Sequence, residues 1–235
     1  MKGKGVKYRE IKEKPCADYR GFRLSRINEP RFAHLKLLLG WEIYFVLFVL
    51  TERLIPAEKC HTVHCAPDDL IPFCEVFVIP YVLWYFLIIA SLVYFAIYNV
   101  NGFSELQRRI IIIQMLAVAV YIIFPTRQDL RPEVFERNNI FTRTIGLIYS
   151  VDTNTGVCPS LHVACSIAIG QAWLREKGVS RGFKAAMTVF CLSICLSTVF
   201  IKQHSLLDGL AAIPVCIIAE GWALRQKGIT QKRPL

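Results

Sequence analysis

The sequence predicts an all-α polytopic membrane protein with six transmembrane helices and both termini in the cytoplasm. Two observations carry this expectation. The first is a set of recurrent long apolar runs in a chain that is 54% hydrophobic, with a mean hydropathy of +0.41. The second is the lopsided placement of its 28 Lys and Arg around those runs. A typical soluble domain is less apolar. A net charge of +10 spread over a soluble surface would suggest nucleic acid, so the position of each charge decides the class.

A helix needs about 20 apolar residues to cross the hydrocarbon core. Six stretches approach that length: residues 37–54, 77–100, 110–125, 159–173, 185–201 and 206–224. The third is short, but Arg108 and Arg109 can snorkel at its start. Shorter runs could be buried helices of a soluble protein, but so many recurring together favour membrane spans. Six crossings put both termini on one side. The terminal side then holds 21 Lys and Arg, and the other side holds seven: Arg53, Lys59, Arg127, Arg131, Arg137, Arg143 and Lys202. The positive-inside rule makes the terminal side cytoplasmic. Residues 1–36 form a basic cytoplasmic leader without the apolar core of a signal peptide. Residues 37–225 form one membrane domain, and residues 226–235 a basic tail.

Nine cysteines follow the same map. Cys165, Cys191, Cys195 and Cys216 lie in helices, where Cys packs as a small hydrophobe. The run from Cys60 through His61 and His64 to Cys65 contains zinc-ligand types, but its spacing matches no common structural zinc pattern. It reads as an ordinary loop ahead of a metal site or a disulfide, and no cofactor or metal is expected. Asp68 and Asp69, before the second helix, read as a solvated turn ahead of a headgroup contact. Glu42 and Glu220 lie within helices and need partners or an interfacial position.

Three outer segments carry the chemistry. His204 opens the last helix with Asp208 at i+4, on one helical face. The carboxylate can hold one imidazole nitrogen and leave the other as base or nucleophile. Pro159, Ser160, Leu161 and His162 start the fourth helix. Proline suits a first turn, and its free N–H groups favour an anion, with Ser160 as an added donor. Arg127 and Arg131 follow the third helix, Arg131 preceding Pro132, and offer guanidinium forks for phosphate oxygens. Six crossings would place all three segments on one face, which points to phosphoryl chemistry on a lipid headgroup.

This ordered trio resembles the motifs of the type-2 phosphatidic acid phosphatase and vanadium haloperoxidase superfamily. Those motifs are Lys, six residues, Arg-Pro; Pro-Ser-Gly-His; and Ser-Arg, five residues, His, three residues, Asp. Here Arg131 and Pro132 match while Phe124 stands at the Lys position, Leu161 stands for Gly, and Ser197, His204 and Asp208 match with Thr198 in place of Arg. The likeness covers the chain from about residue 37 to its end. Without the Lys and one Arg it looks closest to the inositol-phosphorylceramide and sphingomyelin synthase-like branch, as a bacterial-type integral membrane member. The resemblance implies His204 as nucleophile, Asp208 fixing its tautomer, and His162 as proton donor and acceptor. Arg131 and Ser160 would bind phosphate, with Lys202 or Arg127 replacing the missing charge.

The expected activity is hydrolysis of a lipid phosphate or diphosphate through a phosphohistidine. The alternatives are transfer of a lipid headgroup, or a non-enzymatic membrane transporter or scaffold. The expected site faces the extracytoplasmic side of the cell membrane, and the expected partners are a lipid phosphate substrate and the bilayer, not nucleic acid.

Overall fold

The computed structural model describes residues 16–231, and their architecture is mostly helical. Five helical stretches are long and apolar enough to cross a membrane: Ala33–Leu54, Glu75–Tyr98, Val100–Ile123, Arg181–Phe200 and Leu206–Ala223. The first four contain α1 (Leu39–Leu54), α3 (Val78–Tyr98), α4 (Val100–Ile123) and α7 (Arg181–Phe200), and the fifth is the first part of α8 (Leu206–Gln231). The short α2 (Ala66–Leu70) and α5 (Ile140–Val151) belong to the connections, and α6 (Leu161–Arg175) completes the bundle.

The long helices are apolar on both faces, the pattern expected where the solvent is lipid. Along α3, Tyr81, Trp84, Ile88, Ser91 and Phe95 are buried at helical spacing, while Ile79, Leu83, Phe86, Ile89 and Val93 form an exposed apolar stripe. The core links α3, α4, α6, α7 and α8 through residues such as Leu106, Ile110, Ile113, Ile169, Ile194 and Ala212.

The fourth expected span is a different kind of helix. At 15 residues, α6 is about 22 Å long at 1.5 Å per residue, shorter than a hydrocarbon core of about 30 Å. Residues on every side of it are buried, from His162 and Val163 to Gly170 and Trp173. Small residues make this enclosure compatible with close packing: a Cβ on Gly170 would lie 3.5 Å from Cys191 Sγ of α7.

The third span differs from its expected limits. α4 begins at Val100, immediately after Asn99, whose side chain accepts Gly102 N at 2.9 Å as the N-cap. Residues 101–109, expected as a loop, therefore form its first turns. Arg109 is buried and pairs with Glu220 of α8 at 3.1 Å; Arg175 of α6 reaches the same carboxylate at 2.9 Å. Both partners of Glu220 are thus arginines, while Glu42 is exposed in the first turn of α1. A cavity of about 260 Å³ lies beside this network, lined by Asn99, Glu105, Arg109, Arg175 and Glu176.

The expected leader is partly packed within the described residues. Phe32 is fully buried, and Tyr19 donates its hydroxyl to Ala96 O at 2.7 Å, tying the segment to the C-terminal end of α3. Residues 1–15 and 232–235, the remainder of the leader and the end of the tail, lie outside the described residues.

At the opposite end the connections are laced together. β1 (His61–Thr62) pairs in parallel with β2 (Thr126–Arg127). Arg127 also bridges to Thr155, and Gly156 N donates to Thr126 O at 2.8 Å. Gly156 has φ +60°, a left-handed conformation that favours glycine. It turns the chain into the segment that starts α6. Another helix missed by sequence reading, α5, is set by a capping box from Asn139 and Thr142 and ends at Asp152 beside this lacework.

Candidate active site

The Pro159–His162 and His204–Asp208 segments meet because α6 and α8 start side by side. Ser160 N donates to the Asp208 carbonyl at 3.0 Å, and Tyr121 donates to Pro159 O at 2.8 Å. Ser160 is fully buried and caps α6 by accepting Val163 N at 3.5 Å. The expected anion donor is therefore also the residue that shapes the helix start.

His204 Nδ1 lies 3.2 Å from Asp208 Oδ2, and that oxygen also accepts Ser205 N at 2.9 Å. Asp208 is fully buried, so the carboxylate is a fixed acceptor, which assigns the proton to Nδ1. Nε2 of His204 is then the nitrogen with a free lone pair. The Cys158 thiol lies against the same carboxylate, and burial followed by that negative charge pushes it up to about 12.

His162 is the second turn-one residue brought to this place. Its ring stacks on Tyr81 and lies tilted against Trp84, both of α3, with centroids at 4.3 and 4.1 Å, and the His204 ring lies 6.0 Å away. The aromatic walls fix the ring plane and leave Nε2 buried without a hydrogen-bond partner. Trp84 Nε1 and Arg131 Nε are likewise buried and unpartnered. Buried polar atoms are normally satisfied, and two of these, on His162 and Trp84, lie on neighbouring rings.

Arg131 is held by three acceptors: Gln203 Oε1 at 2.6 Å, Thr153 O at 2.8 Å and Tyr149 O at 3.3 Å. Its guanidinium also sits 4.5 Å over the Tyr149 ring. Gln203 connects this group to the histidines, because its Nε2 donates to Asp152 Oδ2 at 3.2 Å and to Tyr81 Oη at 3.3 Å. Burial raises the Asp152 carboxyl above the usual range, and the Arg131 guanidinium and the bond from Gln203 only partly offset it.

The other two expected phosphate ligands are engaged elsewhere. Lys202 Nζ donates to the carbonyls of Ile71 at 2.6 Å and Asp68 at 2.8 Å. Arg127 pairs with Asp129 at 3.3 Å and donates to Thr62 Oγ1 at 3.3 Å. Of the three cations, Arg131 alone joins the histidine cluster through Gln203. The reason is local: Lys202 has φ +55°, which turns its side chain toward α2, and Arg127 is committed to the strand pairing.

Sequence reading missed Asp152, Gln203, Tyr81 and Asp68. Gln203 directly precedes His204, which is a usable signal; Asp152 stands in a Thr- and Asn-rich loop with no pattern around it. Asp68 is buried rather than solvated, and its carboxylate accepts Ser205 Oγ, Leu206 N and Cys65 N. Cys60, Cys65 and Cys74 are unpaired thiols, and among the described residues no His, Cys, Asp and Glu group has the makings of a metal site. His61 instead stacks on Phe124 at 4.3 Å, and His64 pairs with Asp69 at 2.8 Å. Compared with known proteins, the chain matches no family model, no curated protein and no solved structure.

Proposed function

We propose that the chain is an integral membrane phosphoesterase that acts on a lipid phosphate or diphosphate through a phosphohistidine at His204. The observation that carries this reading is the juxtaposition of a carboxylate-held histidine with a second histidine whose Nε2 is buried and unpartnered. In the first step, His204 Nε2 attacks phosphorus, the N–P bond forms and the P–O bond to the leaving group breaks, an alcohol from a lipid phosphate or a lipid monophosphate from a diphosphate. His162 supplies the proton that the departing oxygen takes. In the second step, His162 takes a proton from the acceptor, whose oxygen attacks phosphorus and breaks the P–N bond. Arg131 and the N-terminus of α6 stabilise the charge on the non-reacting oxygens. Asp208 keeps the His204 proton on Nδ1 and stabilises the cationic ring.

The acceptor is water in this reading. A second reading, in which a lipid hydroxyl accepts a phosphorylated headgroup, is favoured by the scarcity of cations at the pair. Phe124 and Thr198 stand where the resemblance would place Lys and Arg, and Lys202 and Arg127 are occupied elsewhere. Placement of α6 as a sixth, short crossing puts both termini on the Lys- and Arg-rich cytoplasmic side and the histidines on the extracytoplasmic face of the cell membrane.

The test uses purified protein with a panel of lipids labelled on phosphorus. Wild type should release phosphate or transfer headgroup and form an acid-labile phosphoprotein, whereas His204→Ala and His162→Ala should lose turnover with expression preserved. Wild-type rates in either variant would sink the mechanism. A folded wild type that acts on no lipid favours the transporter or scaffold.

A further inference from the structure

We propose that α5 is an interfacial helix whose exposed apolar stripe rests in the outer boundary of the bilayer and fixes the depth of the connections that carry the histidines. The inference rests on the membrane placement of the five long helices and not on the phosphoryl reading. At 12 residues, α5 is about 18 Å long, too short to cross a core of about 30 Å. Its inner face carries Phe141, Ile145 and Ile148 into an apolar cluster that takes Val78, Tyr81 and Val82 from α3. Those three lie in the first turns of α3, so α5 sits level with the end of a span, where a membrane helix meets the headgroups.

The outer face of α5 is apolar and exposed. Ile140, Leu147 and Val151 are 69, 65 and 77% exposed, and at 3.6 residues per turn they fall within about 40° of arc. The hydroxyls around this stripe are satisfied by the helix itself. Thr144 Oγ1 donates to Ile140 O at 2.8 Å and Ser150 Oγ to Leu147 O at 2.7 Å, bonds back to the helix that spare a hydroxyl the need for water. Arg143, at the edge of the stripe, is drawn away from it: its Nε donates to Asn138 Oδ1 at 2.9 Å, ahead of the helix.

Lipid is the occupant these features select. The exposed stripe of α3 begins at Ile79, between the residues on which α5 packs, so a bilayer around α3 reaches the level of α5. A short helix at that level with an apolar stripe and a cationic edge has the pattern of one lying in the interface. Its last residue, Val151, is followed by Asp152, which accepts from Gln203 next to His204. Anchoring α5 therefore holds the histidine end of the bundle at headgroup depth.

The experiment uses the full chain in nanodiscs of phosphatidylcholine and phosphatidylglycerol, with p-benzoylphenylalanine replacing one residue at a time. Leu147 is the test position, Phe86 on the exposed stripe of α3 is the lipid control, and Glu136 in the exposed connection is the water control. Illumination inserts the probe into a nearby C–H bond, and a lipid adduct adds the full mass of one lipid to the intact protein. Leu147 should give as much adduct as Phe86 and about tenfold more than Glu136, a ratio within what burial of one Leu supplies. Should the Leu147 variant fold poorly, Val151 carries the same expectation. A yield at the test position no higher than at Glu136, with Phe86 labelled, overturns the proposal and leaves the spans in place. A cross-link between two copies of the chain in place of a lipid adduct overturns it in favour of a protein contact. If Phe86 gives no adduct either, the membrane placement and the proposal are both overturned.

Discussion

The Asp68 carboxylate accepts the Ser205 hydroxyl at 2.6 Å across 137 residues of chain, so a side chain of α2 caps the N-terminus of α8. Its other oxygen accepts Leu206 N at 2.8 Å. One acidic side chain thus closes α2 through Cys65 and fixes the first turn of the helix that carries Asp208. The position of His204 depends on a residue that touches neither histidine.

Replacement of Asp68 by Ala should therefore destabilise the protein by about 1–2 kcal/mol, the usual cost of losing a helix cap, and also lower turnover. Burial opposes ionisation of Asp68, but the bonds from Ser205, Leu206 and Cys65 outweigh it and hold the carboxyl below its usual range. The linkage then has a definite sign. The stabilisation is present above the unfolded carboxyl pKa of about 3.9 and is lost as pH falls through the lower folded value. Thermal midpoints measured from pH 6 down to pH 3 should fall less steeply in Asp68→Asn than in wild type; parallel curves would contradict this.

The Asp208→Asn substitution separates orientation from shape. Because Oδ2 takes both His204 Nδ1 and Ser205 N, an Asn that turns its NH2 to His204 Nδ1 moves the ring proton to Nε2, removes the nucleophilic lone pair and gives up the bond from Ser205 N. Turnover should fall by about a thousandfold or more, the scale of a wrong-tautomer change in an oriented histidine. A stability loss of about 1 kcal/mol is expected from the Ser205 N bond. A loss below tenfold would mean that Asp208 does not set the tautomer.

The helical bundle was legible in the sequence because α1, α3, α4, α7 and α8 each lie in or carry a stretch long and apolar enough to cross a membrane. α6 was harder to classify, since a 15-residue apolar run has the same composition whether it spans or is enclosed. The start of α4 was hidden because Arg109 is polar in sequence, yet its charge is paired by Glu220 from a helix over a hundred residues away. The two histidines and Asp208 announced themselves by spacing. Gln203, Asp152 and Asp68 did not, because each acts through a partner distant in sequence.

Lys202 gives a test of geometry against charge. Its left-handed backbone is held by bonds from Nζ to Asp68 O and Ile71 O. Replacement by Met should lower stability by about 1–2 kcal/mol through those bonds and leave KM within about twofold. Unchanged turnover in both Lys202→Ala and Arg127→Ala would exclude either as the replacement phosphate ligand. A rise in KM of tenfold or more with an unshifted thermal midpoint would instead make Lys202 a phosphate ligand.

The Arg109, Glu220 and Arg175 network sits at the other end of the bundle and should act on stability alone. Glu220 is the shared carboxylate of two guanidiniums, one from α4 and one from α6. Arg109 has only 4% of its side-chain surface exposed, so removal of its partner leaves a largely desolvated charge. Breaking a buried pair from one side typically costs about 3 kcal/mol or more. Glu220→Ala should therefore lower the unfolding midpoint sharply. A double variant, Glu220→Leu with Arg109→Met, removes the stranded charge and should recover much of the loss. Turnover per folded molecule should stay near wild type in both, since neither residue contacts His162, His204 or their partners. A double variant no more stable than Glu220→Ala would show that the carboxylate acts chiefly on the exposed Arg175, not on the buried guanidinium of Arg109.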